Sequence, residues 1–189
     1  MPTLRTFIAI HLPTDVKAAL GEVARHLDSR VPRGAIRWVR PEQMHLTLRF
    51  LGDTDTGSLP AIQTAMDAVA AANAPFEMRL GSVGSFPNPQ RPRIIWVGLV
   101  GEEARLSALK KALDEALTPL GRPPENKPFR AHLTLGRVKD ERSVAGIDWT
   151  ADVPPLALTV STLHLIESEL RPNGPVYTER HVSRFSVDQ

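Results

Sequence analysis

A chain of 189 residues with 42% hydrophobic and 23% charged residues has ordinary globular composition, and its net charge of +2 is too small to imply nucleic-acid binding by itself. It has no cysteine, which excludes disulfides, thiolate nucleophiles and thiolate metal sites and fits a cytoplasmic location. No apolar run approaches the roughly 20 residues of a membrane span, and no secretory signal is visible, so neither a membrane partner nor secretion is expected.

Arg5 to Leu12 (RTFIAIHL) reads as a buried strand stopped by Pro13. Thr14 suits the cap of a helix whose stripe is Val16, Leu20, Val23 and Leu27, with His26 solvated at its edge. After a turn at Val31–Gly34, Ile36–Val39 gives a short strand, and Met44–Leu51 a longer one. Ser58 opens a second helix with apolar face Leu59, Ile62, Met66 and Val69 and a tolerated Pro60 in its first turn. Phe76–Val83 and Arg93–Val100 read as strands joined by a proline-rich loop. Glu102 and Glu103 suit the start of a third helix, buried through Leu106, Leu109, Leu113 and Leu117. Ala131–Val138 is again a strand, Lys139–Pro155 a surface connection, and Leu156–Leu170 and Val176–Val187 a closing strand pair. His164 and His181 fall in that pair, with no role assigned. Short turns between strands predict an α+β fold of antiparallel sheets with helices outside.

Within this pattern one string occurs twice. His45-Leu46-Thr47-Leu48 and His132-Leu133-Thr134-Leu135 are identical, in a chain with only six histidines. Side chains alternate along a strand, so each copy buries two leucines and turns an imidazole and a hydroxyl to the other face. One copy would read as a half-solvated strand. Two copies in matching contexts point to a cleft where two imidazoles and two hydroxyls converge on a phosphate ester. Basic residues flank both: Arg30, Arg33, Arg37 and Arg40 before the first, Lys127, Arg130, Arg137 and Lys139 around the second.

These residues resemble a known family. The doubled His-x-Thr-x string is similar to that of the two-histidine (2H) phosphoesterases, and within them to the LigT-like RNA 2′,3′-cyclic phosphodiesterases, also called 2′-5′ RNA ligases. Supporting stretches are RTFIAI from Arg5, HLTLRFLG from His45, Gly84-Ser85-Phe86-Pro87, IIWVG from Ile94, FRAHLTLGRV from Phe129, and Ser168-Glu169-Leu170 with Gly174 and Tyr177. The resemblance implies a bilobal fold over residues 1–189, two antiparallel sheets lining a central cleft, with one motif strand from each lobe. It implies hydrolysis of a 2′,3′-cyclic phosphate at an RNA end to a 2′-phosphate, without metal or cofactor, and a related ligation of RNA ends without ATP. A monomer acting on RNA or a nucleotide with such an end is expected.

Histidine titrates near neutrality and serves as acid or base, and each such proton transfer is typically worth roughly 10²–10⁴ in rate. His45 and His132 are therefore the candidate catalytic pair, with Thr47 and Thr134 donating to non-bridging oxygens. By resemblance His45 is the acid and His132 the base. The family places Phe50 and Arg137 around the terminal base, yet strict alternation puts both on the leucine face. Gly136 permits a bulge that would reorient Arg137, whereas Phe50 has no such device. Arg49 falls on the histidine face as a contact for phosphate or substrate, and Arg130 is a further substrate-binding candidate. There is no HExxH, no GxxxxGK, and no glycine after Lys139-Asp140, which disfavours a metal hydrolase or an ATP-dependent ligase. A non-catalytic protein binding RNA ends is the alternative.

Overall fold

The computed structural model describes residues 2–187. In chain order the elements are β1 (Thr3–His11), α1 (Thr14–Asp28), β2 (Ile36–Trp38), β3 (His45–Asp55), α2 (Leu59–Ala71), β4 (Phe76–Phe86), β5 (Ile94–Gly101), α3 (Glu103–Leu117), β6 (His132–Val138), β7 (Ala157–Val160), β8 (Thr162–Arg171) and β9 (Gly174–Arg184). They form two sheets, ordered β3-β1-β8-β9 and β2-β6-β5-β4-β7. Every pairing is antiparallel, and short connections join β4 to β5 and β8 to β9. The fold is α+β.

The predicted helical stripes are the buried faces: Val16, Leu20, Val23 and Leu27 in α1, Ile62, Met66 and Val69 in α2, and Leu106, Leu109, Leu113 and Leu117 in α3. They share one connected core with Ile8 and Ile10 of β1 and with Leu46, Leu48, Leu133 and Leu135 of the two motifs. Burying each such leucine contributes about 1.5–3 kcal/mol, so the motif strands are held firmly from behind. A smaller cluster, Phe7, Ala9 and Ile166 with Tyr177 against it, lies on the opposite face of the four-stranded sheet.

Some local expectations need correction. Thr14 does not cap α1; Pro13 takes the cap position without a side-chain bond. Ser58 makes no cap bond either, because its hydroxyl donates to the Asp55 carbonyl 2.7 Å away. The expected strand over Leu156–Leu170 is two strands. β7 pairs with β4 in one sheet and β8 with β1 in the other, and the chain changes sheets at Ser161. Unbroken hydrophobicity across that point reflects a change of partner, since Val160 and Leu163 both reach the shared core. The connection after β6 is pinned by the buried Val144 and Trp149.

The most consequential feature is a bulge at the same place in both motifs. Across β1 and β3, Ala9 pairs with Thr47 and Ile8 with Arg49, leaving Leu48 without a partner. Across β5 and β6, Trp96 pairs with Thr134 and Ile95 with Gly136, leaving Leu135 without one. One extra residue reverses the side-chain alternation beyond it.

Candidate active site

Both motif strands carry their histidine and threonine half-buried on the face opposite the core. The bulge then sends Arg49 and Gly136 into the interior and returns Phe50 and Arg137 to the histidine face, where both are exposed. This corrects two expectations. Phe50 is on the histidine side, 55% exposed, with its ring 6.0 Å from Phe7. Arg49 is not; it is 4% exposed, and its guanidinium donates to Asp114 of α3 at 3.1 Å and to the carbonyls of Arg122 and Pro123. Gly136 is needed because a Cβ there would stand 2.6 Å from Ile36 Cγ2 and 2.8 Å from Trp38 Cε3.

The two imidazoles are held alike. His45 Nδ1 lies 2.8 Å from the Gln43 carbonyl and His132 Nδ1 lies 2.7 Å from the Arg130 carbonyl, in each case two residues back along the chain. A carbonyl only accepts, so Nδ1 carries the proton and donates, and Nε2 is left to give or take one. Arg130 thus acts on the histidine through its backbone, while its side chain is exposed. Aromatic rings wall both imidazoles. Phe7 stacks on His45 with centroids 4.8 Å apart and Tyr177 meets it edge-on at 5.4 Å. Phe86 meets His132 edge-on at 4.9 Å, with Trp96 at 6.4 Å. Trp96 itself lies over Gly84, where any Cβ would collide with its indole.

These walls desolvate the imidazoles and lower the pKa of both. The effect is large for His45, which burial drives to about 4 against a weaker upward pull from the Gln43 carbonyl. Both histidines therefore rest neutral near pH 7. β3 and β6 belong to different sheets, yet their Cα atoms approach within 8 Å. The charge of Arg137 bears on His132 of its own strand and on Tyr177 of β9. Tyr177 in turn touches His45. The two motif strands are thus neighbours, with Arg137 on the histidine face of one of them.

Phe7, Tyr177, Phe86 and Trp96 were not identified as site residues from the sequence, although each lies in a stretch that carries the family resemblance. Their shared face depends on strand register, which single strands do not reveal. His26 is on the exposed end of α1 beside Arg30, and His181 bonds Asp67 at 2.8 Å, so neither joins the cleft set.

A family model described as LigT like Phosphoesterase matches residues 10–96 and again 97–177, so each match contains one motif. A protein of Methanothermobacter thermautotrophicus named RNA 2′,3′-cyclic phosphodiesterase is 32% identical, over 96% of this chain and 99% of its own. One of Archaeoglobus fulgidus with the same name is 33% identical, over 95% and 99%. Among solved structures, TT0787 of Thermus thermophilus superposes with a TM-score of 0.82 and 33% identity, covering 96% of this chain and 97% of that one. With the doubled motif, its two sheets and near-complete coverage all agreeing, the chain belongs to the LigT-like phosphoesterase family.

Proposed function

We propose that this chain hydrolyses the 2′,3′-cyclic phosphate at an RNA end to a 2′-phosphate, using its own side chains without a metal ion. The observation that carries the reading is the duplicated imidazole geometry, in which Nδ1 of each motif histidine is tied to a backbone carbonyl and Nε2 is left for proton transfer. His132 Nε2 takes a proton from water as its oxygen bonds phosphorus. His45 Nε2–H gives a proton to the 3′ oxygen as the phosphorus–O3′ bond breaks on the opposite side. The hydroxyls of Thr47 and Thr134 donate to the non-bridging oxygens, whose charge grows in the transition state. Phe50 and Arg137, both on the histidine face, hold the terminal base between a ring and a guanidinium.

The acid must be protonated, and burial works against this at His45. The phosphodiester anion supplies the opposite charge that raises an imidazole pKa, so substrate binding itself charges the acid. The direction of the split, with His45 as acid and His132 as base, follows the family likeness. With an RNA 5′-hydroxyl in place of water, the same groups join ends through a 2′-5′ linkage without ATP. In this reading each lobe supplies one motif strand, and the protein works as a monomer in the cytoplasm with its RNA. Among the described residues no helix is long and apolar enough to cross a membrane.

The test is incubation of a nucleoside 2′,3′-cyclic phosphate with the enzyme in excess chelator, followed by phosphorus NMR of the product. The reading requires turnover to a 2′-phosphate. A 3′-phosphate would reverse the binding orientation, and activity lost to the chelator and restored by a divalent ion would overturn the metal-free mechanism.

A further inference from the structure

The four-stranded sheet carries a second histidine cluster on its cleft face. His11 ends β1 opposite His45 of β3, so the two share a face. His164 of β8 pairs with Ala9, two residues before His11, and so lies diagonally across from it on the same face. A register shift between β8 and β9 pairs Glu179 with Ile166, which brings the carboxylate to the same face. The two imidazoles stack with centroids 3.7 Å apart and planes 16° from parallel. Nδ1 of His164 is 2.7 Å from Glu179 Oε2, and Nδ1 of His11 is 3.9 Å from the same oxygen.

Both ring nitrogens of His164 have a partner, since its Nε2 also meets the Thr162 hydroxyl at 2.8 Å. At 3.9 Å the Nδ1 of His11 is too far from the carboxylate to hydrogen-bond, and its ring lies against another imidazole.

We propose that His11, His164 and Glu179 form a binding site for one divalent cation of the zinc type, separate from the hydrolytic pair. Two imidazoles and one carboxylate are a donor set that suits such an ion, and their single negative charge partly neutralises it. All three donor atoms already lie within 4.8 Å of one another. The donors around a tetrahedral zinc stand roughly 3.3 Å apart, given bonds of about 2.0–2.1 Å. One histidine–carboxylate distance is shorter than this and the other longer, so rotation of the exposed His11 ring out of its stack and of the Glu179 carboxylate closes the set around the buried His164. In the ion-free structure His164 Nδ1–H donates to Glu179 at 2.7 Å; with an ion in place the proton moves to Nε2, where the Thr162 hydroxyl 2.8 Å away accepts it, the orienting contact metal-bound imidazoles usually have. The side chains of His11 and Glu179 are 42% and 46% exposed, which gives the ion entry from the cleft and leaves a position for water. Lys17, whose charge bears on His11, donates its ammonium to the Glu42 carbonyl at 3.1 Å.

The experiment is a titration of chelator-stripped, untagged protein with zinc by calorimetry and with cobalt(II) by visible absorption. The wild type binds one equivalent, and cobalt gives the intense bands of a four- or five-coordinate site. His11→Ala and Glu179→Gln each weaken binding on the order of tenfold or more, while the His45→Ala/His132→Ala double variant binds as the wild type does. Both changed side chains are exposed, so circular dichroism of these variants matches the wild type. No uptake by the wild type at millimolar metal overturns the proposal, as does binding that survives both cluster variants or vanishes in the double variant.

Discussion

Arg49 gives the sharpest test of the bulge. Strict alternation would aim it at substrate, whereas the structure buries it beneath the motif strand. Its guanidinium links β3 to Asp114 on α3 at 3.1 Å and to the carbonyls of Arg122 and Pro123, in the segment that leads to His132. Replacement by methionine keeps the stem and removes every one of these donors. Breaking a buried ion pair costs about 3–5 kcal/mol when the remaining charge is stranded. Here Asp114 keeps Lys110, whose ammonium lies 2.7 and 2.6 Å from its two oxygens, so the carboxylate stays paired. The loss then falls mainly on the two carbonyls, each worth about 1–3 kcal/mol if left dry, and about 3 kcal/mol overall is expected. For a chain of this size that lowers Tm by about 6–12 °C. Thermal unfolding by circular dichroism measures the shift, and steady-state hydrolysis well below the transition measures activity. The expected result is a lower Tm with KM unchanged. A tenfold rise in KM at unaltered Tm would refute the buried placement and restore Arg49 to the cleft.

Gly136→Ala should cost about 1–3 kcal/mol by overpacking against Ile36 and Trp38, read as a lower denaturation midpoint. Phe50→Ala should leave stability nearly unchanged, because the ring is 55% exposed, and raise KM for a dinucleotide with a 2′,3′-cyclic phosphate end about 5- to 150-fold, the equivalent of about 1–3 kcal/mol of base stacking. The histidines also make stability depend on pH. His45 titrates at about 4 when folded against 6.5 when unfolded, so the unfolded chain binds the proton first. Its contribution is whole above pH 6.5 and is lost as pH falls towards 4, by about 3 kcal/mol in all. Urea unfolding at pH 7 and pH 4.5 should show a drop in the wild type that is smaller by about 2 kcal/mol or more in His45→Ala.

What the sequence made legible was whatever alternation and spacing encode. The leucines of both motifs and the helical stripes follow from periodicity, because burial acts on one face of each element, and the antiparallel character follows from the short turns between strands. The bulges do not. At Gly136 the missing side chain hinted at one, but at Leu48 the extra residue is another leucine and leaves no mark. Arg49 then misled, because an arginine is rarely buried and reads as solvent-facing unless its partners on α3 are known. Phe50 was misplaced by the same bulge. The split at Ser161 was hidden because apolar residues on both sides reach one core. The aromatic walls and the His11, His164 and Glu179 cluster each draw on several strands, so only the strand register assembles them.

The central claim is that two imidazoles act together on one phosphate. It is tested most directly by turnover of a nucleoside 2′,3′-cyclic phosphate by the wild type, His45→Ala, His132→Ala and the double variant, each shown folded by circular dichroism. Each single change should lower kcat by about 10³ or more, and the double change should lower it little further, because the two groups serve one concerted step. A folded single variant that keeps turnover within tenfold of the wild type would contradict the claim.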